Sequence, residues 1–177
     1  MERKDIKSMV KEYFLLHPTG KLRVRQIERE IKVPLPSAIR YTKELEREGV
    51  LKSSSVAGIT LYSADRTSTD FLLEKKIYNL RSLFSSKLVD FLVQEFSNPT
   101  IILFGSYARG EDVEKSDIDL YLESAKKEPL SLAKFEKKLQ RKIQLFKYKN
   151  ISEIKNKELA NNIINGITLN GFIEVLK

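Results

Sequence analysis

Two aspartates, Asp117 and Asp119, stand either side of Ile118 at the head of an apolar run. Residues i and i+2 of a strand project from one face, so these carboxylates could jointly hold a hard divalent cation while Ile118 and Leu120 turn to the core. Upstream, Ile101-Ile102-Leu103-Phe104 reads as a short buried strand running into Gly105-Ser106. Gly105 permits a tight turn and close approach of backbone to a ligand. Ser106 adds a hydroxyl and a backbone N–H, and a short helix opening there would aim further N–H groups at a phosphate. The stretch IILFGSYARGEDVEKSDIDL, residues 101–120, therefore suggests a phosphate-handling turn facing a divalent-metal site.

That combination of an apolar strand, Gly105-Ser106, a loop carrying Arg109-Gly110 and then Ser116-Asp117-Ile118-Asp119-Leu120 resembles the minimal nucleotidyltransferases of the DNA polymerase beta superfamily. The resemblance extends over about residues 85–175, and the tail GITLNG looks like the end of such domains. It implies a site in which Gly105 and Ser106 hold the phosphates of a nucleoside triphosphate, with Arg109 and Ser116 as further nucleotide-binding candidates. Asp117 and Asp119 would bind Mg2+ (or Mn2+) and serve as the catalytic carboxylates while an attacking hydroxyl displaces pyrophosphate. Arg109 reads equally as a phosphate ligand and as a solvated loop arginine.

The family usually supplies a third carboxylate from a neighbouring strand. Here the next strand, after a helix over roughly residues 130–141 opened by Pro129-Leu130-Ser131, reads KIQLFKY, and the position that should hold the acid is Gln144. No Asp or Glu occurs between Glu136 and Glu153, so a small register error would not recover one. Glu123 shares the strand face of the two aspartates but lies too far along to substitute. A neutral amide offers a carbonyl oxygen to a cation but takes no proton and adds no negative charge, so nucleotide binding is expected to be more secure than catalysis.

The preceding segments must position this site and bring it a partner. Ile6, Met9, Val10, Tyr13 and Phe14 predict a helix over residues 2–17, ended by Pro18 and Gly20. Leu22 and Val24 flank Arg23 in a short alternating piece. Ile27 and Ile31 mark a second helix stopping at Val33-Pro34, and Ala38, Thr42 and Leu45 a third, starting at Ser37 and closed by Gly49. VLKSS and ITLYS then read as a hairpin. This order resembles the winged helix-turn-helix family over about residues 1–65, with SAIRYTKELEREGVLK as recognition helix running into the wing. The resemblance implies double-stranded DNA as partner, with Ser37 and Arg40 on bases or phosphates and Lys43 and Lys52 on phosphates. Glu44, Glu46 and Glu48 on the same helix favour the plainer reading, a solvated charged face. His17, the only histidine, reads as a surface or helix-end residue.

Between the two units, residues 67–98 predict a long connecting helix, capped near Ser68, Thr69 and Asp70 and ended by Asn98-Pro99. Its apolar stripe, Leu73, Ile77, Leu80, Phe84, Leu88 and Phe91, is wide enough to need two buried faces. A homodimer through residues 70–97 and a linker packed between two domains of one chain account for it equally well. Lys126-Lys127 and Lys137-Lys138 read as solvated faces.

Composition sets the frame. The chain has 177 residues, no cysteine and a net charge of +8. Residues 1–66 hold 14 Lys+Arg against 9 Asp+Glu, and residues 67–177 hold 18 against 15, so the excess is densest in the first third. Disulfides and thiolate zinc sites are excluded, and no run approaches a bilayer span, so a cytoplasmic protein without membrane contact is expected. The expected architecture is α+β: a winged helix-turn-helix domain (1–66), a connecting helix (67–98) and a nucleotidyltransferase-like mixed sheet with flanking helices (99–177). Three functions are compatible with it. One is a DNA-binding protein able to transfer a nucleotidyl group. The second is a transcriptional regulator whose silent nucleotidyltransferase-like domain senses nucleotide or dimerises. The third is a toxin-antitoxin component acting on a protein partner.

Overall fold

The computed structural model describes residues 5–126 and 130–174. The expected starts of the first helix at residues 2–4, Lys127 and the expected opener Pro129 lie outside them. The chain is mixed α+β and divides between Lys75 and Lys76 into two compact units, each with its own sheet. No described helix is long and apolar enough to cross a membrane.

The first unit begins with α1 (Ile6–Leu16), whose inner face buries Val10, Phe14 and Leu15. A two-residue strand β1 (Lys21–Leu22) follows, then α2 (Val24–Ile31) and α3 (Leu35–Arg47). Val24 opens α2 rather than extending the strand, because Gln26 reaches back to accept a hydrogen bond from the Arg23 N–H and fixes the helix start there. α3 begins two residues before Ser37, with Pro36 in its first turn, where a missing N–H costs nothing. It ends as the sequence predicts. Gly49 takes a left-handed φ of 70°, its N–H donates to the Glu46 carbonyl, and the Val50 N–H donates to the Leu45 carbonyl. That pair of bonds is a Schellman ending, which spends the orphan carbonyls of the last turn.

β2 (Leu51–Val56) and β3 (Ile59–Ala64) form an antiparallel hairpin, and the sheet order is β1-β3-β2. Its two-residue turn, Ala57-Gly58, has positive φ at both positions, the primed turn whose twist matches that of paired strands. Lys75 is buried, and its ammonium donates to the Leu15 carbonyl at the end of α1, where a cation meets the negative end of the helix dipole.

The expected single helix over 67–98 is two helices, α4 (Thr69–Ser86) and α5 (Leu88–Glu95), broken at Lys87 in the left-handed region. The cause is Ser86. Its hydroxyl donates to the Leu83 carbonyl and accepts from the Leu88 N–H, offering the backbone a local alternative to the helical ladder. Nor is the apolar stripe of α4 buried all round, since Leu73, Ile77 and Phe84 remain exposed.

In the second unit the strands are β4 (Ile101–Phe104), β5 (Ile118–Glu123), β6 (Ile143–Tyr148) and β7 (Ile167–Asn170), in sheet order β6-β5-β4-β7. β4 pairs antiparallel with β5 and β7, while β5 and β6 run parallel, so the sheet is mixed. Its main core gathers Leu83, Leu88 and Leu92 with Ile101, Leu103, Ile118, Leu120 and Phe135. A second cluster joins Ile102, Phe104 and Tyr121 to Ile154 and Ile163. Strand alternation assigns Leu103 and Leu120 to one cluster and Phe104 and Tyr121 to the other.

The helix expected over residues 130–141 is shorter, α7 (Ala133–Leu139). The C-terminal stretch is a 3-10 turn over Ile151–Glu153 and then α8 (Lys157–Ile164), started afresh where Asn156 accepts from the Glu158 and Leu159 N–H groups. Lys126 and Lys138 are not merely solvated, since their ammoniums donate to the carbonyls of Glu95 and Ser85 near the ends of α5 and α4.

Candidate active site

The site is built where β4 ends and β5 begins. All four residues of β4 are buried, which forces the chain to reach the sheet end before it can turn. There Gly105 takes φ of 74° and opens α6 (Gly105–Arg109), a single turn closed by Gly110, also at φ of 74°. Phe104 stands directly across from Asp119 in the antiparallel pair. That register lays the Asp119 carboxylate over the α-carbon of Gly105, where a side-chain carbon would overlap it. The glycine thus serves two needs, the left-handed backbone and the space for the carboxylate.

Asp119 is half-buried, and burial is the first reason its carboxyl is held above the usual range. The second is the charge of Asp117, and Arg109 partly offsets both. Asp117 is exposed and lies one residue ahead of β5, so only Asp119 belongs to the strand proper. Two carboxylates that repel one another beside a turn, one of them partly desolvated, are what a bound cation would relieve.

The other predicted residues stand as follows. Ser106 is partly exposed in α6 beside Gly105. Arg109 is exposed, and its Nε donates to Glu111 Oε2 at 2.7 Å, so a phosphate would have to take it from that partner. The Ser116 hydroxyl is already engaged, accepting the Val113 N–H at 2.9 Å and tying the loop ahead of Asp117. A cleft of about 490 Å3 adjoins Asp117 and is lined by Lys115, Ser116, Lys137 and Lys142 among others. Gln144 is exposed on β6, directly opposite Asp119 in the parallel register. Glu123 is four residues from Asp119, roughly 13 Å at the rise of a strand, with buried Tyr121 between.

Sequence reasoning missed the group that holds the loop between α6 and β5. Asp112 is 1 % exposed. Its Oδ1 accepts from the Asn79 side chain at 2.7 Å, and its Oδ2 lies 3.8 Å from Arg141 Nη2. Asn79 also donates to the Tyr107 carbonyl, within α6. Three polar residues from α4, the loop and the segment before β6 are thereby gathered behind the turn. Nothing in EDVEKSD distinguishes Asp112 from its solvated neighbours; the only signal was its nearness to the Gly-Ser turn.

Two oxygen-donor carboxylates, Asp117 and Asp119, are of the chemical class that would suit a hard cation. Among the described residues no cluster of three or more His, Cys, Asp or Glu side chains could hold a metal ion. Residues 85–169 match the family model of the nucleotidyltransferase domain. The match spans just under half of the chain and contains the whole of the Gly105–Asp119 site. No curated protein and no solved structure matches the chain significantly. A function related to nucleotidyl transfer is therefore supported at the level of the domain, and domains of this family typically use a divalent metal with a nucleoside triphosphate. Within the nucleotidyltransferase domain, Gly105 opens α6 directly after β4 and Asp119 lies in β5, the two strands paired at the centre of the sheet.

Proposed function

We propose that the chain is a DNA-binding winged-helix protein whose nucleotidyltransferase domain binds a nucleoside triphosphate with one divalent cation, Mg2+ or Mn2+, and is able to transfer its nucleotidyl group. The observation that carries the nucleotide reading is the seating of the Asp119 carboxylate on Gly105, within electrostatic reach of Asp117. Gly105 and Ser106 would lie against the phosphates, and Arg109 would exchange Glu111 for a phosphate oxygen. Asp117 and Asp119 would hold the cation. The cation's part is to draw charge off the phosphates as an acceptor hydroxyl attacks the α-phosphorus and pyrophosphate leaves.

The DNA reading rests on the order of α1, α2, α3 and the β2–β3 hairpin, and on the net charge of residues 1–66. Ala38, Thr42 and Leu45 face inward on α3, which leaves Arg40 and Lys43 exposed and Ser37 partly so. Lys52 is exposed on β2, though its ammonium already donates to Asp65. A homodimer through residues 70–97 belongs to the same proposal, supported by the exposure of Leu73, Ile77 and Phe84.

A second reading, a regulator whose domain binds nucleotide without turning it over, is favoured by Gln144 standing where a third carboxylate would accept the nucleophile's proton. Incubation with each labelled nucleoside triphosphate and Mg2+ or Mn2+, with the Asp117→Ala, Asp119→Ala double variant as control, separates the two. Label transfer that the control lacks supports the transferase. Nucleotide binding without transfer, together with a nucleotide-dependent change in DNA affinity, supports the regulator.

A further inference from the structure

We infer that this site holds a single divalent cation per chain, and that Gln144 is the residue that excludes a second. The inference rests on the nucleotide reading above and concerns the number of ions rather than their presence. β5 and β6 are parallel and in register, with Asp119 opposite Gln144 and Leu120 opposite Leu145. Residues paired in this way point to the same face of the sheet on strands about 4.8 Å apart. Gln144 is thus the side chain next to Asp119 on the metal-facing side, and it is exposed and free to turn toward a ligand there.

Two dipositive ions in one phosphate-transfer site sit about 3.5–4 Å apart and must be screened from each other by anionic ligands between and beside them. Asp117 and Asp119 supply two negative charges, enough to anchor the ion that a triphosphate carries with it. A second ion would need its own carboxylate beside Asp119. Gln144 presents an amide there, with no charge to offset the added repulsion. Neighbours do not repair this. Ile143 and Leu145 point to the opposite face, Lys142 brings positive charge, and Glu136 is engaged by the Ile143 N–H and by Lys142. Glu123 is too far along β5 to reach.

The consequence is a site that recognises a metal–nucleotide complex but leaves the acceptor hydroxyl without an ion or a carboxylate to lower its pKa. Gln144 can still accept or donate a hydrogen bond to that acceptor or to the α-phosphate, so it positions rather than activates.

The test is Mn2+ titration of the full chain, followed by electron paramagnetic resonance, in the presence of a nucleoside triphosphate analogue with a methylene bridge between the α- and β-phosphorus atoms. The expected result is one protein-dependent Mn2+ per chain for the natural sequence and for Gln144→Asn, and two for Gln144→Asp. Circular dichroism verifies that the exposed substitutions leave the fold intact. Two ions in the natural sequence would overturn the single-ion inference while leaving the nucleotide reading in place. One ion in Gln144→Asp would overturn the role given to Gln144. No protein-dependent Mn2+ in the natural sequence, unchanged by the Asp117→Asn, Asp119→Asn variant, would overturn the inference together with the nucleotide reading on which it rests.

Discussion

The carboxylate of Asp119 lies over the α-carbon of Gly105, so that any side chain at position 105 would occupy its place. Two penalties therefore meet in Gly105→Ala. The left-handed backbone costs about 1–2 kcal/mol for a residue with a Cβ, and the overlap adds to it by driving Asp119 away. The expected outcome is a lower melting temperature together with loss of Mn2+ binding, measured by calorimetry and by paramagnetic resonance on the same preparation. An alanine variant that melts lower but binds Mn2+ normally would mean that the carboxylate has room to move and still serve.

Asp119 itself should trade stability for function. Burial first, and the neighbouring Asp117 second, raise its carboxyl pKa above the unfolded value. The folded state therefore binds this proton more tightly than the unfolded chain does. Its contribution is fully present below the ordinary carboxylate range and is lost as pH rises through the folded pKa. At neutral pH and without a cation, Asp119→Asn should melt above the natural protein. The gap should close on acidification below the ordinary range, and added Mn2+ should stabilise only the natural sequence. Melting curves in chelator at both ends of that range check the sign.

Asp112 is expected to be the most costly polar residue of the second unit to remove. Replacement by alanine leaves the Arg141 guanidinium and the Asn79 amide facing a buried gap. Removing one partner of a buried ion pair costs about 3–5 kcal/mol. Asp112→Asn preserves the size and one acceptor for Asn79, and should cost less than Asp112→Ala in denaturant titration. Equal losses would place the effect in packing rather than in charge.

Much of this fold is legible in its sequence, for definite physical reasons. β4 announced itself as an unbroken apolar run ending at Gly105-Ser106, and β5 as an apolar run whose head carries Asp117 and Asp119. Gly49 was legible as a helix stop because a left-handed closing residue favours glycine. The register of Gln144 was legible because Ile143 and Leu145 fix the parity of β6. What escaped were features decided by single hydrogen bonds. Ser86 breaks a stretch whose hydrophobic spacing continues through it, and periodicity is blind to a hydroxyl that competes for the backbone. Lys75 and Asp112 are charged residues in charged surroundings, and only the three-dimensional partners of Leu15 and Asn79 reveal their burial. Val24 opens a helix where its alternation with Leu22 predicts a strand, because a two-residue strand has no period to measure.

Tyr121 offers a test of the opposite kind, a substitution that should improve the fold. It is fully buried in the smaller cluster of the second sheet, and its hydroxyl has no hydrogen-bond partner among the described residues. Burial pushes its phenol well above the usual tyrosine range, with Glu123 and Glu153 adding to the effect. An unsatisfied buried hydroxyl forfeits its solvation, so Tyr121→Phe should gain on the order of 1 kcal/mol. Thermal or urea denaturation measures it. A loss instead would show that a bound molecule or water supplies the missing partner in solution, and would direct attention to this face of the sheet.

The DNA reading makes its sharpest demand on Arg40. The Nε of this arginine donates to Glu44 Oε1 at 2.8 Å, and its guanidinium lies over the Tyr41 ring. The hydrogen bond to Glu44 is also the first cause that holds its pKa above the usual arginine value. Binding a phosphate or a guanine edge would require Arg40 to leave Glu44, so the carboxylate acts as an internal competitor for the DNA. Glu44 also lies 3.7 Å from Lys7, but that ammonium donates to Glu48 and stays paired when Glu44 is lost. Arg40→Ala should weaken binding and, if the contact is to a phosphate, reduce the slope of log affinity against log salt by about 1. Glu44→Gln should tighten binding and steepen that slope. Fluorescence anisotropy over a salt series reads both. If the two variants shift affinity in the same direction, or neither shifts it, the exposed face of α3 is not the DNA-contacting surface, and the charged helix is simply solvated.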